Sequence, residues 1–400
     1  MDLLFDDAAQ AFRAEVRAWL AEHVPDGPLP SMDTAEGFEA HRAWEAEMAA
    51  DSMSVVSWPT EFGGRNEPLL HWLIFEEEYY RAGAPGRVSQ NGIFLLAPTL
   101  FDHAHPDQLA RIMPRMARAD DIWGQAWSEP EAGSDLASLR STATRTEGGW
   151  LLNGQKTWSS RSSFADMGFG LFRTDPEAPT AGSEASGVKR SRHRGITYFM
   201  FDLRAPGVTV RPIAQLDGEP GFAELFLEDV FVPDDPADPG ASGVIGDVGN
   251  GWKVAMSTAA NERGLSLRSP GRFLAATDRL LALWRERRDQ VPSTAATDRG
   301  VADAWIGSRA YELSTYQTVS RLARGGQLGM ESSINKVFWS QWDIAAHETA
   351  LDLQGADAEL DDPWTSGYLF SLSGPIYAGT NEIQRNVIAE RLLGLPRGDR

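Results

Sequence analysis

Cysteine is absent from the 400 residues of the chain. It can build neither a disulfide framework nor a thiolate metal site, which fits a reducing compartment. Positive charge is scarce: 37 Lys and Arg stand against 57 Asp and Glu, a formal net charge of −20. Such a surface repels nucleic-acid phosphates and anionic membranes, so a polyanionic ligand must find a local basic site. No run approaches the ~20 apolar residues of a membrane span, and Met1–Asp7 has neither the positive start nor the apolar core of a signal peptide. A soluble, cytoplasmic protein is expected. Only His103 and His105 of the seven histidines lie close together, and an isolated His-x-His reads as a solvated loop pair, so no metal site is expected. No internal repeat points to a solenoid or propeller.

What the chain does have is apolar mass, 42% hydrophobic residues with 14 Trp and 18 Phe. That supports a large core, and the length favours two or three packed units. Ala8, Phe12, Val16, Trp19 and Leu20 recur at helical spacing, and further helical runs follow over 38–50, 68–82 and 106–118. Beyond Asp121 the texture turns to strands over 123–127, 141–146, 150–152, 167–172, 196–203, 208–212 and 223–232, punctuated by Gly, Asn, Pro and Asp. A long loop over 174–195 ends in the basic island Lys189–Arg194, either a solvated tip or a phosphate clasp. After Pro239 and Gly240 helical periodicity returns: one long helix over 252–290 bent at Pro270, then 298–324, 331–353 and 381–392, a four-helix bundle. The expected architecture is mainly α with a central β domain. It comprises an N-terminal helical domain over 1–120, a middle β-barrel-like domain over 121–238 and a C-terminal helical bundle over 239–400.

Residues 124–135, Gly-Gln-Ala-Trp-Ser-Glu-Pro-Glu-Ala-Gly-Ser-Asp, run from a short apolar strand into a polar turn. They read as an ordinary strand-to-turn junction or as a loop aiming hydroxyls and N–H groups at a ligand. Three other stretches bear on that choice: Asn153-Gly154-Gln155-Lys156-Thr157-Trp158-Ser159-Ser160, Gly249-Asn250-Gly251-Trp252 and Tyr377-Ala378-Gly379-Thr380-Asn381-Glu382-Ile383-Gln384-Arg385. Together, in this order and at this spacing, the four resemble the acyl-CoA dehydrogenase family over nearly the full length.

The resemblance implies bound FAD, an acyl-CoA or acyl carrier protein thioester as substrate, an electron-transfer flavoprotein or similar acceptor, and a homotetramer or dimer of dimers. It places Ala126, Trp127 and Ser128 along the flavin edge, Ser134 near substrate and cofactor phosphate, Trp158 as the aromatic shielding the ring, and Ser160 as the hydroxyl near N5. Gly379, Thr380 and Glu382 match the terminal cofactor motif. The base that many members carry before the terminal Gly-Thr is replaced by Ala378, which takes no proton. A second family location, on the long bundle helix directly before an Arg, is matched by Glu262 and Arg263. Ala255, Ala259 and Glu262 fall on one helix face, so a carboxylate there would face small residues. Glu262 is therefore the expected α-proton base, with Arg263 orienting it or the ligand. Two family features are missing. Arg285–Pro292 lacks the Phe-Gly of an Arg-x-x-Phe-Gly stretch, and 354–358 reads Gln-Gly-Ala-Asp-Ala instead of a Gly-Gly-x-Gly turn. Cross-subunit FAD contacts are in question. A flavin monooxygenase or oxidase on the same scaffold, and a non-catalytic partner subunit of a mixed tetramer, remain as alternatives.

Overall fold

The computed structural model describes residues 5–174, 192–262, 269–289, 295–326, 329 and 332–397. Contacts divide the chain into two compact units, Gly27–Asn66 with Pro85–Glu262, and Met1–Asp26 with Glu67–Ala84 and Arg263–Arg400. The division cuts across the expected N-terminal segment.

In the second of these units, α1 (Asp7–His23) begins where the Asp6 carboxylate accepts the Ala9 N–H, and it buries Ala9, Phe12, Val16 and Leu20 on one stripe. It packs on α3 (Leu69–Arg81), whose Glu77 and Glu78 are buried and held by Arg13, with Glu78 also taking Arg17 at 2.6 Å. Helices α7 (Pro270–Arg287), α8 (Ala295–Leu322) and α9 (Ser332–Gln354) pack on one another around Phe273, Leu280, Tyr311, Trp339, Trp342 and Leu353. Two short helices, α10 (Pro363–Ser371) and α11 (Asn381–Val387), lie against α9. The single helix expected over 252–290 is corrected here. A new helix starts at Ser269, whose extended backbone and hydroxyl, accepting the Gly271 N–H at 3.2 Å, cap α7 ahead of Pro270.

The other unit is built on one eight-stranded sheet. Its strands are β1 (Trp123–Ala126), β2 (Thr142–Thr146), β3 (Gly149–Ser160), β4 (Met167–Arg173), β5 (Ile196–Asp202), β6 (Val208–Ile213), β7 (Phe222–Pro233) and β8 (Val244–Ile245). The order is β6-β7-β3-β2-β4-β5-β8, with β1 parallel to β4. Its core joins Phe38, Val88, Ile122, Trp150, Phe172, Phe199, Leu225 and Val232. Phe38 comes from α2 (Ala35–Ala50), while α4 (Ala97–His103), α5 (Pro106–Ala117) and α6 (Gly251–Glu262) complete the helical layer. His105 serves as the N-cap of α5, its Nδ1 accepting the Asp107 N–H at 3.2 Å. Among the described residues no His, Asp and Glu cluster could hold a metal ion, and no helix is long and apolar enough to cross a membrane.

Candidate active site

The stretch 124–135 leaves the sheet at Ala126, which is fully buried. Trp127 follows, nearly buried and edge-on to Tyr198 at 6.1 Å, with its Nε1 buried and without a partner among the described residues. The Ser128 carbonyl accepts the Thr157 N–H at 2.9 Å, which ties the loop to β3. The hydroxyls of Ser128 and Ser134 engage no described residue.

What holds this loop is a buried ion pair that the motifs alone did not reveal. Lys156 is fully buried on β3 and donates to Glu129 Oε1 at 2.8 Å and to the Leu171 carbonyl at 2.8 Å. Glu129 also accepts the N–H groups of Arg140 at 2.6 Å and Ser141 at 3.0 Å. Burial opposes its charge, but the Lys156 ammonium and these donors hold its carboxyl below the usual glutamate value. The sequence pattern assigns neither residue a role of its own. The only signal was their position inside two of the four motifs.

Across from the loop, β3 slips register against β7 between Lys156 and Ser159. Trp158 sits in that bulge with φ 58°, a left-handed conformation that a bulky residue rarely takes, and its indole is 59% exposed. Phe222 supports the ring edge-on at 5.9 Å. Ser160 ends the strand opposite Phe222, its hydroxyl engaging no described residue, and Arg161 again has a positive φ of 61°. A large aromatic surface and an uncommitted hydroxyl are thus presented from one strained turn.

Helix α6 approaches the sheet closely at its start. A Cβ on Gly251 would lie 2.6 Å from the Tyr198 nitrogen, and the Thr197 hydroxyl accepts the Gly249 N–H at 2.8 Å. The buried stripe of α6 is Val254, Ala255, Thr258 and Ala259, with Thr258 hydrogen-bonded to Thr99 at 2.7 Å and to the Tyr198 hydroxyl at 3.2 Å. Glu262 is the last residue of α6, in helical phase with that stripe. Its side chain, and all of Arg263, lie outside the described residues. So do Lys189, Arg190 and Ser191 of the basic island. Of its remainder, Arg192 pairs with Asp135 at 3.2 Å and His193 stacks on Trp252 at 4.1 Å.

In the helical-bundle unit the terminal motif is a hydrogen-bonded turn. Ala378 and Gly379 are both left-handed, with φ 56° and 76°. Fully buried Gln384 donates to the Ala378 carbonyl at 2.8 Å, and the Thr380 hydroxyl caps α11 by accepting the Ile383 N–H at 3.2 Å. Buried Lys336 donates to Asn381 Oδ1 at 2.9 Å. Glu382 is exposed beside Arg385.

Family models for the N-terminal, middle and C-terminal domains of acyl-CoA dehydrogenases match residues 6–120, 124–230 and 249–393. The chain belongs to the acyl-CoA dehydrogenase family. It is 37% identical to the acyl-CoA dehydrogenase IpdE1 of Mycolicibacterium smegmatis over 97% of this chain and 98% of that one. The Mycobacterium tuberculosis protein of the same name is also 37% identical, with the same coverage. Among solved structures, the Tcur3481-Tcur3483 steroid ACAD superposes with TM-score 0.82 at 25% identity, covering all of both chains. The ChsE4-ChsE5 complex from Mycobacterium tuberculosis gives 0.79 at 26%, again over both full chains.

The family is FAD-dependent, and the β unit fits that group on its own geometry. Among the described residues, buried Trp127 Nε1 has no partner and the Ser128 and Ser160 hydroxyls bond to none, while Trp158 offers an open aromatic face. Donors beside an aromatic plane suit a flat, electron-accepting ring.

Proposed function

We propose that the chain introduces an α,β double bond into a ring-bearing, steroid-derived acyl-CoA, with Glu262 as the α-proton base. The observation that carries the reading is the Trp158 bulge, where strain is held to present an indole and the Ser160 hydroxyl. Backbone strain of this kind persists where the surroundings over-determine it, as at ligand clamps. When bound there, FAD supplies the acceptor for the β-hydrogen. Ser128, Ser160 and Trp127 Nε1 are the donors for the ring edge, and Trp158 covers its face. The α-proton needs a carboxylate elsewhere, because Ala378 offers only a methyl group in a tightly held turn. Glu262 is in helical phase with the buried stripe of α6, and its carboxylate would take the α-proton as the double bond forms. The steroid class is supported by the solved structure named a steroid ACAD. The test is product analysis: the FAD-loaded protein, a steroid side-chain CoA thioester and an artificial electron acceptor, read by mass spectrometry. Loss of two hydrogens to give the enoyl thioester supports the reading. Oxygen incorporation with the same acceptor present would replace it with a monooxygenase.

A second reading concerns assembly. Arg287 Nη1 lies 2.8 Å from Asp357 Oδ2, so the stretch lacking Phe-Gly is ion-paired to the turn that lacks the full Gly-Gly-x-Gly. That supports a chain which gives no cross-subunit FAD contact and works beside a second, different chain, an arrangement for which the ChsE4-ChsE5 complex is the precedent. The chain purified alone then binds FAD weakly, and addition of the paired chain restores stoichiometric binding. A yellow, fully loaded homotetramer would contradict this.

A further inference from the structure

Ser160 follows a stretch that the sheet itself does not fix. The β3–β7 register breaks after Lys156 and resumes only at Ser159, opposite Ala223, and Ser160 is the last paired residue. Two left-handed non-glycine residues, Trp158 and Arg161, bracket it. A peptide between two such residues keeps its orientation only where further bonds pin it. Three bonds from outside the strand do so. The Thr157 N–H donates to the Ser128 carbonyl at 2.9 Å and the Arg161 N–H to the Gly221 carbonyl at 3.0 Å. The third comes from a side chain: Asn91 Nδ2 donates to the Ser160 carbonyl at 3.2 Å.

Asn91 itself stands on firm ground. It opens the widely wound turn Asn91–Leu96, whose next five residues are all buried, and a Cβ on Gly92 would stand 3.1 Å from the Trp123 ring. Widened turns of this kind recur at functional sites. Neighbouring Ser89 is locked by Glu45, which accepts its N–H at 3.0 Å and also takes Arg87 at 3.3 Å. The amide of Asn91 thus joins the helical layer to the end of β3 at a peptide whose side-chain hydroxyl bonds to no described residue. No other side chain among the described residues bonds to the Ser160 backbone.

We propose that Asn91 is a positioning residue. By pinning the Ser160 peptide it sets where the Ser160 hydroxyl points, and so how strongly the bound flavin ring is stabilised when it takes up negative charge. This rests on the reading of Ser160 as a flavin-edge donor. Losing a donor at that edge lowers the midpoint potential of the bound flavin.

The test compares FAD-loaded wild type, Asn91→Leu, Ser160→Ala and the double variant by spectroelectrochemical titration, with FAD affinity and thermal unfolding recorded for each. Leucine matches asparagine in shape but cannot donate; Asn91→Ser serves in its place if the leucine protein does not fold. The expected result is a downward shift in both single variants, with the double variant shifted no further than Ser160→Ala alone, because Asn91 acts through Ser160. An unchanged potential in Asn91→Leu beside a shifted Ser160→Ala overturns the proposal and leaves the flavin reading standing. Additive shifts overturn it too, since they show a separate route. An unchanged potential in Ser160→Ala overturns the reading of Ser160 and the proposal with it.

Discussion

Replacing Lys156 by Met isolates the pair that holds the loop after β1. The methionine keeps most of the stem volume in a site with no exposure, but removes the ammonium from Glu129 Oε1 and from the Leu171 carbonyl, both at 2.8 Å. Glu129 would then be a buried carboxylate held only by the amides of Arg140 and Ser141. Removing one partner of a buried ion pair costs about 3–5 kcal/mol, because the other charge remains desolvated. Replacing both partners by neutral groups costs much less, so Lys156→Met with Glu129→Gln is expected to recover at least about 1–2 kcal/mol of that loss.

The pH dependence follows from the sign of the shift. In the wild type the folded Glu129 value is depressed, so its contribution is present above the ordinary glutamate range and lost as pH falls through the depressed value. Without Lys156, burial raises the folded value instead. The variant then regains stability relative to wild type as pH falls from 7 toward 5, because the stranded carboxylate takes a proton. The assay is urea unfolding followed by tryptophan fluorescence at both pH values. Equal deficits at the two pH values, or a double variant less stable than Lys156→Met alone, would refute the reasoning.

Two further outcomes concern the walls of the site. Trp158→Gly trades about 1 kcal/mol of left-handed backbone strain for a similar entropic cost of glycine, so FAD-free stability changes little. Its FAD dissociation constant rises at least about tenfold, roughly 1.4 kcal/mol, by fluorescence titration. Gln384→Met leaves the buried Ala378 carbonyl without its donor, costing about 1–3 kcal/mol. Hydrogen exchange over residues 375–383 accelerates accordingly.

Helices with one apolar stripe and a polar N-cap, such as α1, were readable from spacing to within a few residues. Residues 91–103 were not, because Ile93–Leu100 is almost wholly buried and so shows no amphipathic period. By alternation alone, β3 reads as strand only over 150–152. Its Asn153-Gly154-Gln155-Lys156 continuation resembles a turn until Lys156 finds Glu129 and Asn153 exchanges hydrogen bonds with Asp229 at 2.8 and 3.0 Å. By spacing the break before α7 reads as a bend rather than an end, since the Ser269 cap looks like any serine in an apolar-periodic run. The motifs of the candidate site were readable as a family pattern. The residues that hold them in place, Glu129, Lys156 and Asn91, were not, because partners distant in sequence make them what they are.

The most direct measurement is anaerobic flavin bleaching by a steroid side-chain CoA thioester in Glu262→Gln, set beside wild type at equal FAD loading. Glutamine keeps the shape and removes the base. Bleaching is expected to slow by a factor of at least about 10²–10⁴, the range attributed to a positioned general base, with substrate binding retained. Bleaching at the wild-type rate would contradict the assignment of Glu262.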